Sequence, residues 1–164
     1  MRNEVTNLPD FILILDRLRS AHNTGNIFRI AEALGAGVAP CGYTPCPPHP
    51  KLEKTAMGTD QTVPWKHFEC AADAVKYFHD AGYTVLAAEP GGPEAWEMDF
   101  SWPLAIVFGN EALGVSSDAL AEADGLVSLA MHGSKASINV GNAAAAITYA
   151  IDAKRRKKLK TGSL

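Results

Sequence analysis

Two short runs of apolar residues, FILILD at 11–16 and PLAIVFG at 103–109, constrain the fold of this chain more than any other feature. Their length and composition are typical of buried β-strands, and the second run is the stronger strand prediction. Strands of this kind, covered on both faces, occur mainly in parallel sheets, where crossover helices join one strand to the next. The two runs therefore favour an α/β fold.

A helix is predicted directly after the first run. Its apolar stripe follows the spacing i, i+3, i+4 and i+7, with the residues Ile27, Ile30, Ala31 and Leu34. We expect Asn23 or Thr24 to cap it and the glycines of GAG, 35–37, to end it. Arg29 lies about 200° around this helix from Ile27, so its side chain is predicted to lie off the core stripe.

The remaining segments continue the alternation of strands and helices. The predicted strands are at about 38–43, 83–89 and 125–131; the predicted helices are at 71–82, near 116–122 and from 139 to about 157; PCPPHP at 45–50 is predicted to be a rigid loop. We expect a single α/β domain over residues 1–164, with a mainly parallel sheet and helices on both of its faces.

The length and composition agree with one domain and exclude several classes of protein. The chain has 164 residues, of which 47% are hydrophobic, enough for a core without disulfides. Three cysteines at irregular spacing oppose a disulfide framework, and Cys41, Cys46 and His49 lack the second cluster of a zinc site. Without a leader or an apolar run of about 20 residues, we expect no membrane span and a cytoplasmic protein.

Charge is distributed unevenly along the chain. The net charge is −3, yet the segment KRRKKLK at 154–160 holds six of the fifteen basic residues. Residues 1–150 carry nine basic and seventeen acidic residues. The basic tail at 154–164 is therefore either an arm that attracts phosphate or a solvated helix end, and charge alone does not separate the two.

Three loops rich in glycine and polar residues follow predicted strands. They are HNTG at 22–25, GNEALG at 109–114 and HGSKASIN at 132–139. Ligands of parallel α/β sheets bind at the carboxyl ends of the strands, so these loops are predicted to form one site. The first of these loops, with the helix start that follows it at 20–37, contains neither the lysine of a P-loop nor the glycine triplet of a dinucleotide fold.

Motifs in these loops carry a family resemblance. The chain contains Asn23-x-Gly25-x-x-x-Arg29, VFGNEALG at 107–114 and SINVGNA at 137–143, in this order. Over about residues 15–151 it resembles the SpoU family of RNA ribose 2′-O-methyltransferases, and KTAMGTDQTVPW at 54–65 is also similar. The resemblance implies a C-terminal trefoil knot, bound S-adenosylmethionine, an RNA substrate and a homodimer that completes the site, with no metal.

The resemblance also implies site residues. Ala88, Gly109, Leu129 and Ser137 stand at positions that hold the cofactor, and Ile138 packs nearby.

The implied catalytic set is Arg29, Asn23, Glu111, Ser137 and Asn139. Arg29 would grip an RNA phosphate and align the ribose hydroxyl, while Asn23 and Glu111 orient the arginine or shape the loops. Ser137 and Asn139 would contact the cofactor, the ribose or the catalytic loop. Structural roles stay open for these residues: a surface pair of Arg29 with Glu32, amide acceptance by Glu111, and helix capping by Ser137 or Asn139.

Departures from the family pattern leave the RNA unassigned. The family often has proline at Ala130, leucine at Ile138 and serine-valine at Gly141-Asn142. The alternative function is a catalytically inactive SpoU-like protein that binds RNA or assembles a complex. A nucleotide-binding redox enzyme is a weaker alternative, because GAGVAP at 35–40 follows a helix rather than joining a strand to one.

Overall fold

The fold follows from a computed structural model that describes residues 8–162. Its elements in chain order are β1 (Phe11–Asp16), α1 (Ala21–Leu34), β2 (Gly37–Cys41), α2 (Pro50–Ala56), a 3₁₀ turn (Thr59–Gln61), α3 (Ala71–Asp80), β3 (Thr84–Ala88), β4 (Leu104–Gly109), α4 (Ser117–Glu122), β5 (Gly125–Val127) and α5 (Val140–Thr161). The alternation of strands and helices is the one predicted, except that α2 and the 3₁₀ turn were not expected. No helix within residues 8–162 is both long enough and apolar enough to span a bilayer.

The sheet has five strands in the order β2-β1-β4-β3-β5, and each pair of neighbours is parallel. The two apolar runs thus form adjacent inner strands. In their register Leu15 lies opposite Phe108 and Asp16 opposite Gly109, so β1 and β4 end at the same level. The loops that follow these strands therefore meet at one edge of the sheet.

Helices cover both faces of the sheet, because alternate residues of each inner strand point to opposite sides. On one face, Leu13 and Leu15 belong to the same buried cluster as Phe28 of α1 and Ile151 of α5. On the other face, Ile14 packs in a cluster with α3. The α/β prediction with helices on two faces is confirmed.

The start of α1 differs from the prediction. Ser20, not Asn23 or Thr24, is the N-cap: its backbone is extended and its Oγ accepts the N–H of Asn23 at 3.1 Å. Asn23 and Thr24 lie in the first turn, because the loop after β1 is short and the helix begins at once. The predicted end is correct, since Gly35 takes the left-handed conformation with φ 65°.

Helix α1 is held close to α2, which the sequence did not predict. A Cβ on Gly25 would lie 2.5 Å from the carbonyl oxygen of Leu52, so α2 can pack on α1 only if residue 25 has no side chain. The predicted loop 45–50 ends where Pro50 opens α2, and Nδ1 of His49 accepts the N–H of Lys51 at 3.2 Å. Seven residues with one buried pair, Leu52 and Ala56, are too few for a clear helical pattern.

The last strand and last helix also differ in extent. β5 covers three residues instead of the predicted 125–131, because the chain leaves the sheet edge after pairing with β3. α5 begins at Val140 after its N-cap Asn139 and runs to Thr161, beyond the predicted end near 157. α5 packs against α1 and β4, so the chain returns from the β5 edge across the middle of the sheet.

Candidate functional site

A cleft of about 450 Å³ lies at the carboxyl ends of β3, β4 and β5, beside the start of α5. Its volume falls within the usual range for a small-molecule site, about 300–1,000 Å³. All five residues predicted to hold the cofactor line this one cleft: Ala88, Gly109, Leu129, Ser137 and Ile138. The structure therefore brings together residues from three separate loops.

The cleft combines apolar walls with a few polar groups. Phe108, Val127 and Ile147 form its buried apolar side. At its mouth Ile138 is 45% exposed and Met131 is 37% exposed. Exposed apolar side chains beside a cleft favour a ligand that covers them.

Gly109 is required by the close return of the loop that follows β4. A Cβ on Gly109 would lie 2.3 Å from both the carbonyl carbon of Gly114 and the nitrogen of Val115. Asn110 and Gly114 exchange two backbone hydrogen bonds, of 3.1 and 2.9 Å, and Oδ1 of Asn110 accepts the N–H groups of Ala112 and Leu113. The loop is thereby fixed against the end of the strand.

Glu111 ties this loop to the start of α1. Its two carboxylate oxygens accept the backbone N–H groups of Arg19 (2.9 Å) and Ser20 (3.0 Å), and Oε2 also accepts Nδ2 of Asn23 at 3.1 Å. The structural role left open for Glu111, acceptance of backbone amides, is therefore present. The same contacts place the first motif beside the second.

The environment of Glu111 favours its charged form. Desolvation raises the pKa of this carboxyl group, but the hydrogen bonds from Arg19, Ser20 and Asn23 outweigh it and hold the pKa below its ordinary value of 4.5. Glu111 is thus a fixed carboxylate at neutral pH.

Asn23 and Asn139 connect the first motif to the third. Nδ2 of Asn139 donates to Oδ1 of Asn23 at 3.1 Å, and Oδ1 of Asn139 accepts the N–H of Asn142 at 3.1 Å as the cap of α5. Asn139 therefore caps its helix and links two motifs at once. The chain of contacts Glu111–Asn23–Asn139 joins all three predicted loops.

The other two predicted catalytic residues lie apart from this network. Ser137 lines the cleft, is exposed, and does not cap α5. Arg29 is exposed on α1, as its position off the stripe predicts, and it does not line the cleft. Among residues 8–162 its side chain forms no hydrogen bond or ion pair, so the surface pair with Glu32 is absent.

Three polar residues that position the cleft were missed. Asp16 ends β1, and its Oδ2 accepts the N–H of Ser116 at 2.6 Å. Glu89 follows β3, and its Oε1 accepts the N–H of Val115 at 2.6 Å. The third is Asn110, which follows β4. All three residues lie at or just after the end of a parallel strand, and this placement is a signal that could have identified them from the sequence.

The cysteine and histidine residues near 41–49 do not converge on a shared point. Sγ of Cys41 lies 3.3 Å from the carbonyl oxygen of Ala39, and Sγ of Cys46 lies 3.4 Å from that of Thr44. Burial raises the pKa of the Cys46 thiol to about 11. In the part of the chain described, no group of three His, Cys, Asp or Glu residues is arranged to hold a metal ion.

Comparisons with known proteins identify the family of this chain. Residues 10–149 match the model of the SpoU rRNA methylase family. The chain is 31% identical over 160 residues to the tRNA (guanosine(18)-2′-O)-methyltransferase of Thermus thermophilus, covering 94% of this chain and 78% of that protein. It is 32% identical over 148 residues to the 23S rRNA (uridine(2479)-2′-O)-methyltransferase of Streptomyces viridochromogenes, covering 85% of this chain and 52% of the relative.

A solved structure is similar over most of the chain. The SpoU methyltransferase AviRb from Streptomyces viridochromogenes, in complex with the cofactor AdoMet, superposes with a TM-score of 0.82 at 30% identity. The match covers 93% of this chain and 60% of AviRb, so this chain spans less than two thirds of that structure.

Proposed function

This chain belongs to the SpoU rRNA methylase family, and we propose that it transfers a methyl group from S-adenosylmethionine to a ribose 2′-hydroxyl of tRNA or rRNA. One observation carries the proposal: the cleft lined by all five expected cofactor positions is joined to the start of α1 through Glu111, Asn23 and Asn139. The cofactor cleft and the first turn of α1 would thus be held in one frame.

The cleft fits S-adenosylmethionine chemically. Apolar walls suit the adenine ring, and the backbone groups around Gly109 and Leu129 suit its polar edge. When bound, the cofactor supplies a methyl group on a sulfonium that is already activated. The chain then has to bind the ribose, align its hydroxyl and exclude competing water.

We assign Arg29 to the RNA. A guanidinium stays protonated at ordinary pH, so it is a poor base and a good partner for phosphate, which it can hold with two parallel hydrogen bonds. Its exposure and lack of an ion pair with any described residue leave its charge available. Ser137, in the cleft, is available to the ribose or the cofactor.

A homodimer would complete the site. Arg29 is absent from the cleft of its own chain; α1 and α5 pack against each other, and their exposed surface includes Arg29 of α1 and Ala146 and Tyr149 of α5. We propose that two copies pair through this surface, where small alanine side chains permit close helix contact, and that Arg29 of one copy serves the cleft of the other.

The path of the chain supports the proposed trefoil knot. After β5, Ser128 is bonded to the 92–95 segment: its Oγ donates to the carbonyl oxygen of Gly92 at 2.7 Å, and its carbonyl oxygen accepts the N–H of Ala95 at 3.0 Å. The chain then returns to α1 and β4 as α5. Pulling on the two ends of the chain tests the knot. The fully stretched length of a knotted chain is shorter than the roughly 3.6 Å per residue that an unknotted chain reaches.

Both named relatives act on RNA, one on tRNA and one on rRNA, so we leave the substrate within this class and expect a cytoplasmic enzyme with one catalytic domain. The test is transfer of labelled methyl groups from S-adenosylmethionine to bulk tRNA and rRNA, with EDTA present. We expect ribose methylation in one RNA pool, and calorimetric binding of the cofactor that is insensitive to EDTA. Cofactor or RNA binding without transfer would favour the inactive, RNA-binding alternative.

A further inference from the structure

A second concave surface, which we call the basic groove, lies between the start of α1 and α2. Its volume is about 540 Å³. Its titratable lining residues are all basic: Arg19, His22, His49, Lys51 and Lys54. No aspartate or glutamate lines it, and Glu53 of α2 stays outside.

This concentration of positive charge stands out on an acidic chain. Residues 1–150 contain nine lysines and arginines against seventeen acidic residues, and three of those nine line the basic groove. A groove lined by one sign of charge raises the local concentration of a ligand of opposite sign. The groove therefore suits a polyanion.

The cations of the groove are not used by the fold. Among residues 8–162, the side chains of Arg19, Lys51 and Lys54 form no ion pair and no hydrogen bond. The walls, in contrast, are fixed: Oγ1 of Thr55 donates to the carbonyl oxygen of His22 at 3.0 Å. The groove is preformed and its charges are free for a ligand.

The basic tail is different, because most of its charges have partners in the chain. Arg155 pairs with Asp10 at 2.7 Å and lies 3.9 Å from the ring centre of Trp102. Three further tail residues also have partners. Lys154 contacts the carbonyl oxygen of Met98, Arg156 pairs with the carboxylate of Asp152, and Lys158 pairs with the carboxylate of Asp99. Four of the six tail cations thus have a partner, whereas Arg19, Lys51 and Lys54 of the groove have none among the described residues.

The basic groove adjoins the cofactor cleft. Glu111 lines the cleft, and its carboxylate accepts the backbone N–H groups of Arg19 and Ser20, which line the groove. A ligand that occupies the groove thus ends beside the cleft. A nucleic acid strand can extend from one to the other, whereas a single small anion cannot.

We propose that the basic groove binds the phosphodiester backbone of the substrate RNA next to the methylated ribose, with Arg19, Lys51 and Lys54 as its phosphate ligands. The inference rests on the proposed function, since it names the surface by which that site would hold its RNA. Phosphate contacts of this kind fix the register of a nucleic acid and carry no base information.

The test compares two double variants that each remove two positive charges. Lys51→Gln with Lys54→Gln alters the groove, and Lys157→Gln with Lys160→Gln alters tail residues that have no ion pair with any described residue. Binding of bulk tRNA and rRNA fragments is measured by fluorescence anisotropy over a range of salt. Melting temperatures verify folding, because glutamine retains the helix propensity of lysine.

We expect the slope of log K against log salt to become less steep in the groove variant, by about 1.4–1.8, since each phosphate contact contributes roughly 0.7–0.9. Its KM for RNA should rise with kcat nearly retained, and its affinity for S-adenosylmethionine should not change. The tail variant should leave the slope close to that of the unaltered protein. Inorganic phosphate should compete no better than chloride at equal ionic strength.

Three results would overturn the proposed role of the groove in RNA binding. The first is a groove variant that methylates RNA with an unchanged salt slope and an unchanged KM. The second is a less steep salt slope in the tail variant alone, and the third is full competition with RNA by inorganic phosphate. These outcomes leave the proposed function intact. The proposed function fails separately if the unaltered protein transfers no methyl group to either RNA pool.

Discussion

Arg29 shows how a single residue acquires a functional interpretation from what it does not contact. It is exposed on α1, and in the described part of the chain it pairs neither with Glu32 nor with another acid. Helix α1 would fold equally well with another helix-forming residue at position 29. Its charge therefore points to an external partner.

We predict that Arg29→Ala and Arg29→Lys both lower methyl transfer by about 100-fold or more, because lysine keeps the charge but not the planar two-point geometry. Folding and cofactor affinity should survive, since no core contact is lost. Transfer of labelled methyl groups, calorimetry and thermal melting measure the three properties.

The matched control is Glu32→Gln, an exposed change one turn away on the same helix. It should leave transfer unaltered. A lysine variant with near-normal turnover would contradict two-point binding, and an alanine variant that does not fold would return Arg29 to a structural role.

Glu111 stabilises the start of α1 as a carboxylate. In Glu111→Gln one oxygen becomes an amide nitrogen, which accepts no hydrogen bond, so the side chain cannot keep all three contacts with Arg19, Ser20 and Asn23. We predict a loss of about 1 kcal/mol at pH 7, or roughly 2–4 °C in melting temperature for a domain of this size.

The pH dependence has a defined sign. The pKa of Glu111 is lower in the folded chain than its ordinary value of 4.5. Its contribution is therefore complete above about pH 4.5 and is lost as the pH falls through the folded pKa. The difference between the unaltered protein and Glu111→Gln should shrink below pH 4.5. Glu122→Gln, an exposed change on α4, is the control; an equal pH trend in that variant would contradict the assignment.

At the scale of elements, the strand-to-loop junction after β4 sets the shape of the cleft. Gly109 lines the cleft and admits the return of Gly114 and Val115 to its own backbone. We predict that Gly109→Ala destabilises the fold by about 1–3 kcal/mol, as overpacking does, and weakens binding of S-adenosylmethionine. Chemical denaturation and calorimetry measure the two effects.

Gly133→Ala provides the matched control, because a Cβ on Gly133 meets no atom within 4 Å. It should bind the cofactor nearly as the unaltered protein does. Equal binding by Gly109→Ala and Gly133→Ala would show that the loop after β4 is not part of the cofactor site.

At the scale of the whole molecule, the separation of Arg29 from its own cleft predicts a homodimer. Light scattering at micromolar concentration should give twice the chain mass of 17.5 kDa. Tyr149→Asp, which puts a charge on the exposed face of α5, should shift the protein toward the monomer and lower methyl transfer, because a buried unpaired charge opposes association. A monomeric unaltered protein that remains active would contradict this arrangement.

A complementation experiment tests which chain supplies Arg29. Arg29→Ala and Ser137→Ala chains are expressed separately and together. If Arg29 acts across the interface, a mixed dimer has one intact site, and random pairing should restore about a quarter of the activity. Activity no greater than the sum of the two parent variants would place both residues in the same chain's site.

The sequence by itself determined the α/β class and the positions of most elements. Two apolar runs of strand length favoured buried strands of a parallel sheet, and loops at the carboxyl ends of such strands meet at one edge. That reasoning also located the cleft, and the family resemblance named five of the residues that line it, although Glu89 and Asn110 were missed.

Tertiary structure decided what local pattern does not encode. Ser20 caps α1 and α2 forms after Pro50 because of the short loop after β1 and the approach of Leu52 to Gly25. Glu111 bonds to residues about ninety positions away, and Asn139 to one more than a hundred away. Such contacts exist only when the register of β1 against β4 has placed their loops together, so no spacing within one segment can reveal them.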